Sequence, residues 1–218
     1  MILAGRVRVD GEIVNTLGQK FKGDVKIEVD GKLLKKEEKV VYLLNKPKNV
    51  LSSVSDDRSR PCVSDLVDVA YRLYPIGRLD FESSGLLLLS NDGDLCQKMI
   101  HPKYKIPKVY EVTIKGLIKD DDLKLLRNGI ILDGVKTQKA KVEVMTKNLN
   151  KQATKLKMTI YEGRNRQIRR MMEYCGYEVV RLHRIKEANI ELKDLRPGEY
   201  RRLKIHEVKE LRRYLDEH

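Results

Sequence analysis

The sequence predicts an α+β protein, a mainly antiparallel central sheet with flanking helices, preceded by a small β-rich module. Three observations carry this expectation. The segments VYEVTIKG, KVEVMTK and TKLKMTIYEG alternate apolar and polar residues, the period-2 signature of antiparallel strands with one buried face. Between them lie stretches with helix start and stop signals, in an order that does not form a regular strand–helix–strand series. The block Leu86 to Leu89, set between Gly85 and Asn91-Asp92-Gly93, is too short to span a bilayer and reads as a strand buried on both sides.

Residues 1–34 read as short strands with turns at Asp10-Gly11 and Asp30-Gly31, and they carry Arg6, Arg8, Lys20, Lys22 and Lys26. Such a module is too small to stand alone. The run KKEEK at 35–39 is the linker candidate, so the sequence divides into 1–38 and 39–218. VVYLLNKP then opens a strand that stops at Pro47. Asp94 to Ile100 is helical and ends before Pro102; KDDDLKLLRNG has acidic residues at its start and Gly129 at its end; HEVKELRRYL repeats Val208, Leu211 and Leu215. In EGRNRQIRRMMEYCG, Ile168, Met171, Met172 and Cys175 form the apolar stripe of an amphipathic helix. Arg170 points away from that stripe and Arg169 sits at its margin. No long-period repeat appears, and GRNRQIRRM contains no phosphate-cradling glycine pattern.

Composition narrows the partners. Against 32 acidic residues stand 45 Lys and Arg, a net charge of +13, which favours a polyanion through steering and counterion release. Nucleic acid leads; an acidic membrane surface lacks any supporting amphipathic, lipidation or spanning segment. Cys62, Cys96 and Cys175 are scattered and form no CxxC pair, which argues against a disulfide framework or zinc site and fits a reducing cytoplasm. The opening MILAGRVRVDGE has no signal-peptide pattern. His101, His183, His206 and His218 share no ligand spacing, so no metal is expected.

Candidate chemistry centres on GRLDFESSGLLLLSNDG. Asp80 lies against the leucine block, where it either hydrogen-bonds loop amides or stands in a partly desolvated cleft as a nucleophile or base. Arg169, at a core margin, needs an anionic partner, and pairing favours the charged form of a desolvated carboxylate. Arg166 and Arg170 read as solvated basic residues. In KIPKVYEV, Lys108 and Tyr110 share one strand face opposite Val109 and can project together into a groove. Tyr110 is then a core tyrosine, a stacking platform or a proton acceptor.

Taken in order, GRLDFESSGLLLLSNDG, KVYEV and EGRNRQIRRM resemble the three hallmark segments of the RsuA/RluB family of ribosomal RNA pseudouridine synthases. LLNKPKNVLSSVSDDRSR and LYPIGRLD are similar to the large-subunit branch of that family. The resemblance covers roughly residues 40 to 215. It implies the pseudouridine synthase catalytic fold, isomerisation of a uridine in folded rRNA, and no metal or organic cofactor. It further implies Asp80 as nucleophile, Tyr110 as the residue that assists removal of the C5 proton, and Arg169 as the basic partner of the aspartate. Arg78 resembles the arginine that holds the target nucleotide out of its stack; Lys108, Arg164, Arg166 and Arg170 complete the expected RNA-binding set. The expected partner is 23S rRNA or a large-subunit assembly intermediate, met by a cytoplasmic monomer with no membrane association. A 16S rRNA synthase and a noncatalytic RNA-binding assembly factor are the alternatives, whereas an RNA hydrolase lacks a second carboxylate or histidine at metal spacing. Two departures stand out. Phe81-Glu82-Ser83 replaces the Tyr-Asp-Thr of many relatives, and residues 1–34 resemble only the later part of a small RNA-binding domain, without its opening helices.

Overall fold

The protein is described by a computed structural model. It covers residues 1–34 and 37–217; Lys35 and Lys36 of the expected linker, and His218, lie outside the described residues. The chain forms two compact units, Met1–Glu38 and Lys39–His218.

The first unit contains β1 (Val7–Val9), β2 (Glu12–Val14), β3 (Ile27–Val29) and β4 (Lys32–Leu33), paired antiparallel in the order β2-β1-β3-β4. Asp10 (φ 50°) and Gly11 (φ 87°) turn the first hairpin, Asp30 (φ 51°) and Gly31 (φ 75°) the second. Two consecutive positive φ values match the right-handed twist of the strands they join, which is why Asp-Gly occupies both turns. Arg6 Nε donates to Asp30 Oδ1 at 2.8 Å and pins the second turn to β1. Val9 and Val14 are buried, a small core for so many exposed apolar side chains.

The second unit is built on a mixed, mainly antiparallel sheet. In chain order it contains β5 (Val41–Lys46), β6 (Tyr74–Pro75), β7 (Ser84–Ser90), α1 (Gly93–Ile100), β8 (Lys108–Lys115), α2 (Asp120–Asn128) and the short hairpin β9 (Ile131–Leu132) and β10 (Val135–Lys136). There follow β11 (Lys141–Asn148), β12 (Ala153–Ile160), α3 (Gln167–Tyr174), β13 (Val179–Glu187), β14 (Ile190–Glu191), β15 (Tyr200–Arg202) and α4 (Ile205–Asp216). Spatial order in the sheet is β11-β12-β8-β13-β7-β5-β15, with β14 on β13 and β6 on β7. The late strand β13 therefore lies between β7 and β8, antiparallel to β8 and parallel to β7.

Every residue of β7 is buried. Leu87 and Leu89 pack on one face with Ile168, Met171 and Met172 of α3 and Leu123 and Leu126 of α2. Leu86 and Leu88 pack on the other with Leu95 and Met99 of α1 and Leu211 and Leu215 of α4. Helices on both faces explain an unbroken apolar run where an alternating one would serve a half-exposed strand, and each leucine contributes about 1.5–3 kcal/mol by burial. Helix ends follow local chemistry. Asp120, Asp121 and Asp122 fill the first turn of α2, favourable to its dipole, and Gly129 (φ 82°) ends it. Among the described residues, no helix is long and apolar enough to cross a membrane.

Candidate active site

The GRLD turn joins β6 to β7. Ser52 Oγ donates to the Leu79 carbonyl at 2.9 Å and accepts from the Leu79 amide at 3.0 Å, while the Ser83 amide donates to the Asp80 carbonyl at 3.0 Å. Leu79 is buried, so its two neighbours, Arg78 and Asp80, turn outward together. Both line a cleft of about 630 Å³, a volume typical of sites that enclose small groups. The same cleft is lined by Lys108, Tyr110, Arg164, Arg166, Arg184 and Glu187.

Asp80 is held from behind by Arg169 of α3, whose Nε lies 4.0 Å from Asp80 Oδ2. The Asp80 side chain is 30% exposed and that of Arg169 12%, so the arginine is sheltered and the carboxylate still faces the cleft. Arg169 also donates to the Val179 carbonyl at 3.2 Å and to Ser83 Oγ at 3.3 Å, tying α3 to β13 and to the start of β7. The hydroxyl at position 83 is thus used, and the departure from Thr to Ser keeps it.

A second cation reaches the same turn. Lys46, at the end of β5, is fully buried and donates to the Pro47 and Ser83 carbonyls at 2.9 Å each. Burial pushes it down to about 8, and the Asp80 charge opposes that fall. Tyr110 is buried at the cleft floor; burial pushes its hydroxyl up, the Arg184 guanidinium pulls it down, and Glu187 and Asp80 push it up again.

A carboxylate beside a sheltered cation, opposite a buried tyrosine hydroxyl, in a pocket rimmed by arginines, can attack or deprotonate a ring substrate carried on a polyanion. A family description, RNA pseudouridylate synthase, matches residues 40–174. The chain is 44% identical to the ribosomal large subunit pseudouridine synthase B of Bacillus subtilis, over 99% of this chain and 89% of that one. The chain is an RNA pseudouridine synthase of the RsuA/RluB family. It catalyses isomerisation of uridine to pseudouridine in RNA. The synthase is also 37% identical to an uncharacterized RNA pseudouridine synthase of Aquifex aeolicus, over 97% of this chain and 85% of that one. A crystal structure of a pseudouridylate synthase superposes with TM-score 0.74 at 31% identity, covering 96% of this chain and 90% of the other. The α+β fold with a mainly antiparallel sheet is that of these enzymes.

The synthase brings Arg78, Asp80, Lys108, Tyr110, Arg164 and Arg166 to one cleft. Lys108 and Tyr110 line it while Val109 does not, as their alternation on β8 requires. The outer arginines are differently employed. Arg164 donates to the Val135 and Lys136 carbonyls at 3.0 and 2.8 Å and pairs with Glu162 at 3.2 Å, so it fastens β10 to the loop before α3. Arg166 is exposed and lies 3.6 Å from Glu82. It adopts φ 48° at the N-cap of α3, so the helix begins one residue before the first member of its stripe, and Cys175 falls just past its end. Arg170 does not stand free in water: it is half-buried and pairs with Asp133 of the β9–β10 turn at 2.5 Å.

Sequence reasoning missed Lys46, Arg184 and Glu187. A lysine closing the wholly apolar start of β5, directly before Pro47, is a readable signal for the first. RLHRIKE offers none for the other two, since alternating charges are ordinary on a strand with a wet face.

Proposed function

We propose that this synthase modifies 23S rRNA of the large subunit, in the free RNA or an assembly intermediate, with Asp80, Tyr110 and Arg169 as its catalytic group. The relative named for the large subunit shares nearly the whole chain, which supports that choice of RNA. The observation that carries the site assignment is the Asp80 carboxylate 4.0 Å from Arg169 in the cleft that Tyr110 floors.

A uracil inside a helix hides both its glycosidic bond and its C5, so the nucleotide must leave the stack, at a few kcal/mol that phosphate and stacking contacts offset. Arg78, exposed at the cleft, is placed to occupy or support the vacated space; Lys108, Arg164 and Arg166 line the cleft with positive charge, and Arg170, outside that lining and paired with Asp133, adds a further RNA contact. Asp80 then acts on the ring or the sugar. The C1′–N1 bond breaks, the retained ring turns, C1′–C5 forms, and a hydrogen lost from C5 is balanced by one gained at N1. Product and substrate are isomers, so no oxidant, reductant or donor is consumed, and no organic cofactor is required. Tyr110 assists removal of the C5 proton in a shielded pocket. The β-rich unit, Met1–Glu38, with Arg6, Arg8, Lys20, Lys22 and Lys26, supplies a second RNA contact.

Pseudouridine mapping of rRNA from cells with and without the protein tests the substrate. One 23S position should lose its modification, and restoration by wild type but not by Asp80→Asn should follow. An unchanged 23S pattern with a changed 16S position would overturn the large-subunit assignment. Asp80→Asn should keep RNA binding while losing turnover; full turnover in that variant would remove the nucleophile assignment.

A further inference from the structure

β13 carries a buried pair that faces the floor of the cleft from between β7 and β8. Arg184 is the cross-strand partner of Tyr110, and Glu187 that of Lys108. Arg184 and Glu187 are 1% and 2% exposed, and all four residues line the cleft. A guanidinium so deeply placed calls for a counter-charge. Arg184 Nε donates to the Leu86 carbonyl at 2.7 Å, and its Nη2 lies 3.3 Å from Glu187 Oε2. Glu187 Oε1 lies 3.8 Å from Lys108 Nζ, which donates to the Ile106 carbonyl at 3.2 Å. Tyr110 stands directly across from Arg184 on the neighbouring strand and lines the same cleft, so the guanidinium charge acts on its hydroxyl and pulls it down.

We propose that Arg184 is a positioning residue for the isomerisation, turning the Tyr110 hydroxyl proton into the cleft. The reason is elementary. A guanidinium is a cation with donors and no acceptor, so the tyrosine oxygen turns its lone pairs towards Arg184 and its own O–H points elsewhere. Tyr110 lines the cleft and feels the charge of Asp80, so the free direction is the one a uracil ring enters from. The arrangement has a second effect. Tyr110 acts on C5 as the phenolate: its own proton leaves through the cleft to solvent before the ring enters, the negative charge left on the oxygen meets a fixed cation, where preorganised charge counts most, and the vacated lone pair takes the proton from C5. Glu187 and Lys108 complete the set; Asp80, from the turn before β7, is the further charge acting on the hydroxyl. Without Glu187 the guanidinium would stand uncompensated, and with Glu187 alone Tyr110 would be held neutral.

The inference rests on the assignment of Tyr110 to proton handling. The test is single-turnover tritium release from 23S rRNA transcribed with tritium at uridine C5, followed across pH 6–10 with RNA affinity and thermal melting measured alongside. Arg184→Met alone leaves buried Glu187 with only the more distant Lys108, so Arg184→Met/Glu187→Gln is used to remove both charges together. That double variant should bind RNA within about threefold of wild type and release tritium about a hundredfold more slowly at neutral pH. Its rate should recover towards higher pH, because losing Arg184 raises the hydroxyl more than losing Glu187 lowers it. Arg184→Lys keeps the charge but cannot serve Leu86 and Tyr110 together, and should show an intermediate loss. A purely structural residue would lower melting and RNA affinity and leave the pH dependence where it was. Wild-type rate and pH profile in Arg184→Lys, or in the double variant, would overturn the proposal while tritium release by wild type and its absence in Asp80→Asn left the function standing. No release by wild type from either rRNA would bring down both.

Discussion

Gly85→Ala should unfold a large share of the molecule's stability, because the parallel contact between β7 and β13 has no room for a methyl group. Gly85 has φ +110°, and a Cβ there would sit 2.2 Å from the Arg184 carbonyl oxygen, 2.5 Å from its nitrogen and 2.9 Å from its carbonyl carbon. Carbon atoms pack comfortably at about 3.5–4.0 Å, and the obstructing atoms are backbone, held on the far side by the ladder to β8. Overpacking costs about 1–3 kcal/mol and an alanine forced to a glycine conformation about 1–3 more, a sum of about 4 kcal/mol. At a urea slope of about 2 kcal/mol/M, the unfolding midpoint should fall by about 2 M, read by far-UV circular dichroism. Gly93→Ala is the control: it begins α1, and a Cβ there meets nothing within 4 Å, so its midpoint should stay within about 0.5 M of wild type. A loss below about 1 kcal/mol for Gly85→Ala would mean that β13 stands further from β7 than described, and the placement of Arg184 beneath Tyr110 would go with it.

Arg169→Ala should reduce single-turnover tritium release by about a hundredfold or more, with RNA affinity changed by less, since the cation acts on charge developed at Asp80; equal rates at saturating RNA would refute the pairing. Arg166→Ala and Arg170→Ala should each weaken RNA binding and lower the log–log salt slope by roughly one, and an unchanged slope would assign Arg170 wholly to Asp133. Lys46, held at about 8 against an ordinary lysine value of 10.5, is a cation below that pH and an amine above it. Its folded value is the lower one, so the unfolded chain binds the proton more tightly and stability rises with pH between about 8 and 10.5, by up to about 3 kcal/mol. Urea midpoints of wild type should therefore gain on those of Lys46→Met from pH 7.5 to 9.5 while wild-type turnover declines; parallel midpoints would show that Lys46 does not titrate there.

Much of the fold was legible because its causes are local. The leucine run, the acidic start and glycine end of α2, and the stripe of α3 each declare themselves within a few residues, and packing on two faces of one sheet completes them. Arg170 shows where local reasoning stops. Helical geometry turns it away from the core, yet Asp133, on a turn far back in the chain, comes to meet it and covers it. Arg184 and Glu187 were invisible for a stronger reason. Their partners lie on β8, and nothing in RLHRIKE says that β13 inserts between two strands that precede it by far in the sequence. Lys46 was half legible: an apolar strand that ends in lysine needs carbonyls for it, but only the completed GRLD turn brings the Ser83 carbonyl within reach.

The spacing between Asp80 and Arg169 also bears on what kind of pair this is. Structural ion pairs in the same molecule close to hydrogen-bond distance, as Arg201 does on Glu207 at 2.7 Å, and the carboxylate there is pulled down to about 2. A carboxylate bound in that way has its lone pairs occupied and is a poor nucleophile. At 4.0 Å, Arg169 Nε is buried and has no hydrogen-bond acceptor among the described residues. An orphaned donor of this sort is costly in a core, and its persistence is understandable where the missing acceptor arrives with the reaction. Coulombic attraction survives the extra ångström, whereas a hydrogen bond does not, so Asp80 keeps a cationic neighbour without surrendering its oxygens. Lys46 repeats the arrangement from β5, spending its protons on carbonyls and lending Asp80 only its charge. Two cations placed to act at a distance, on a carboxylate whose oxygens stay available, fit an attacking group; a turn merely stapled shut would have used one of them at 2.8 Å, as Lys39 is used on Asp92.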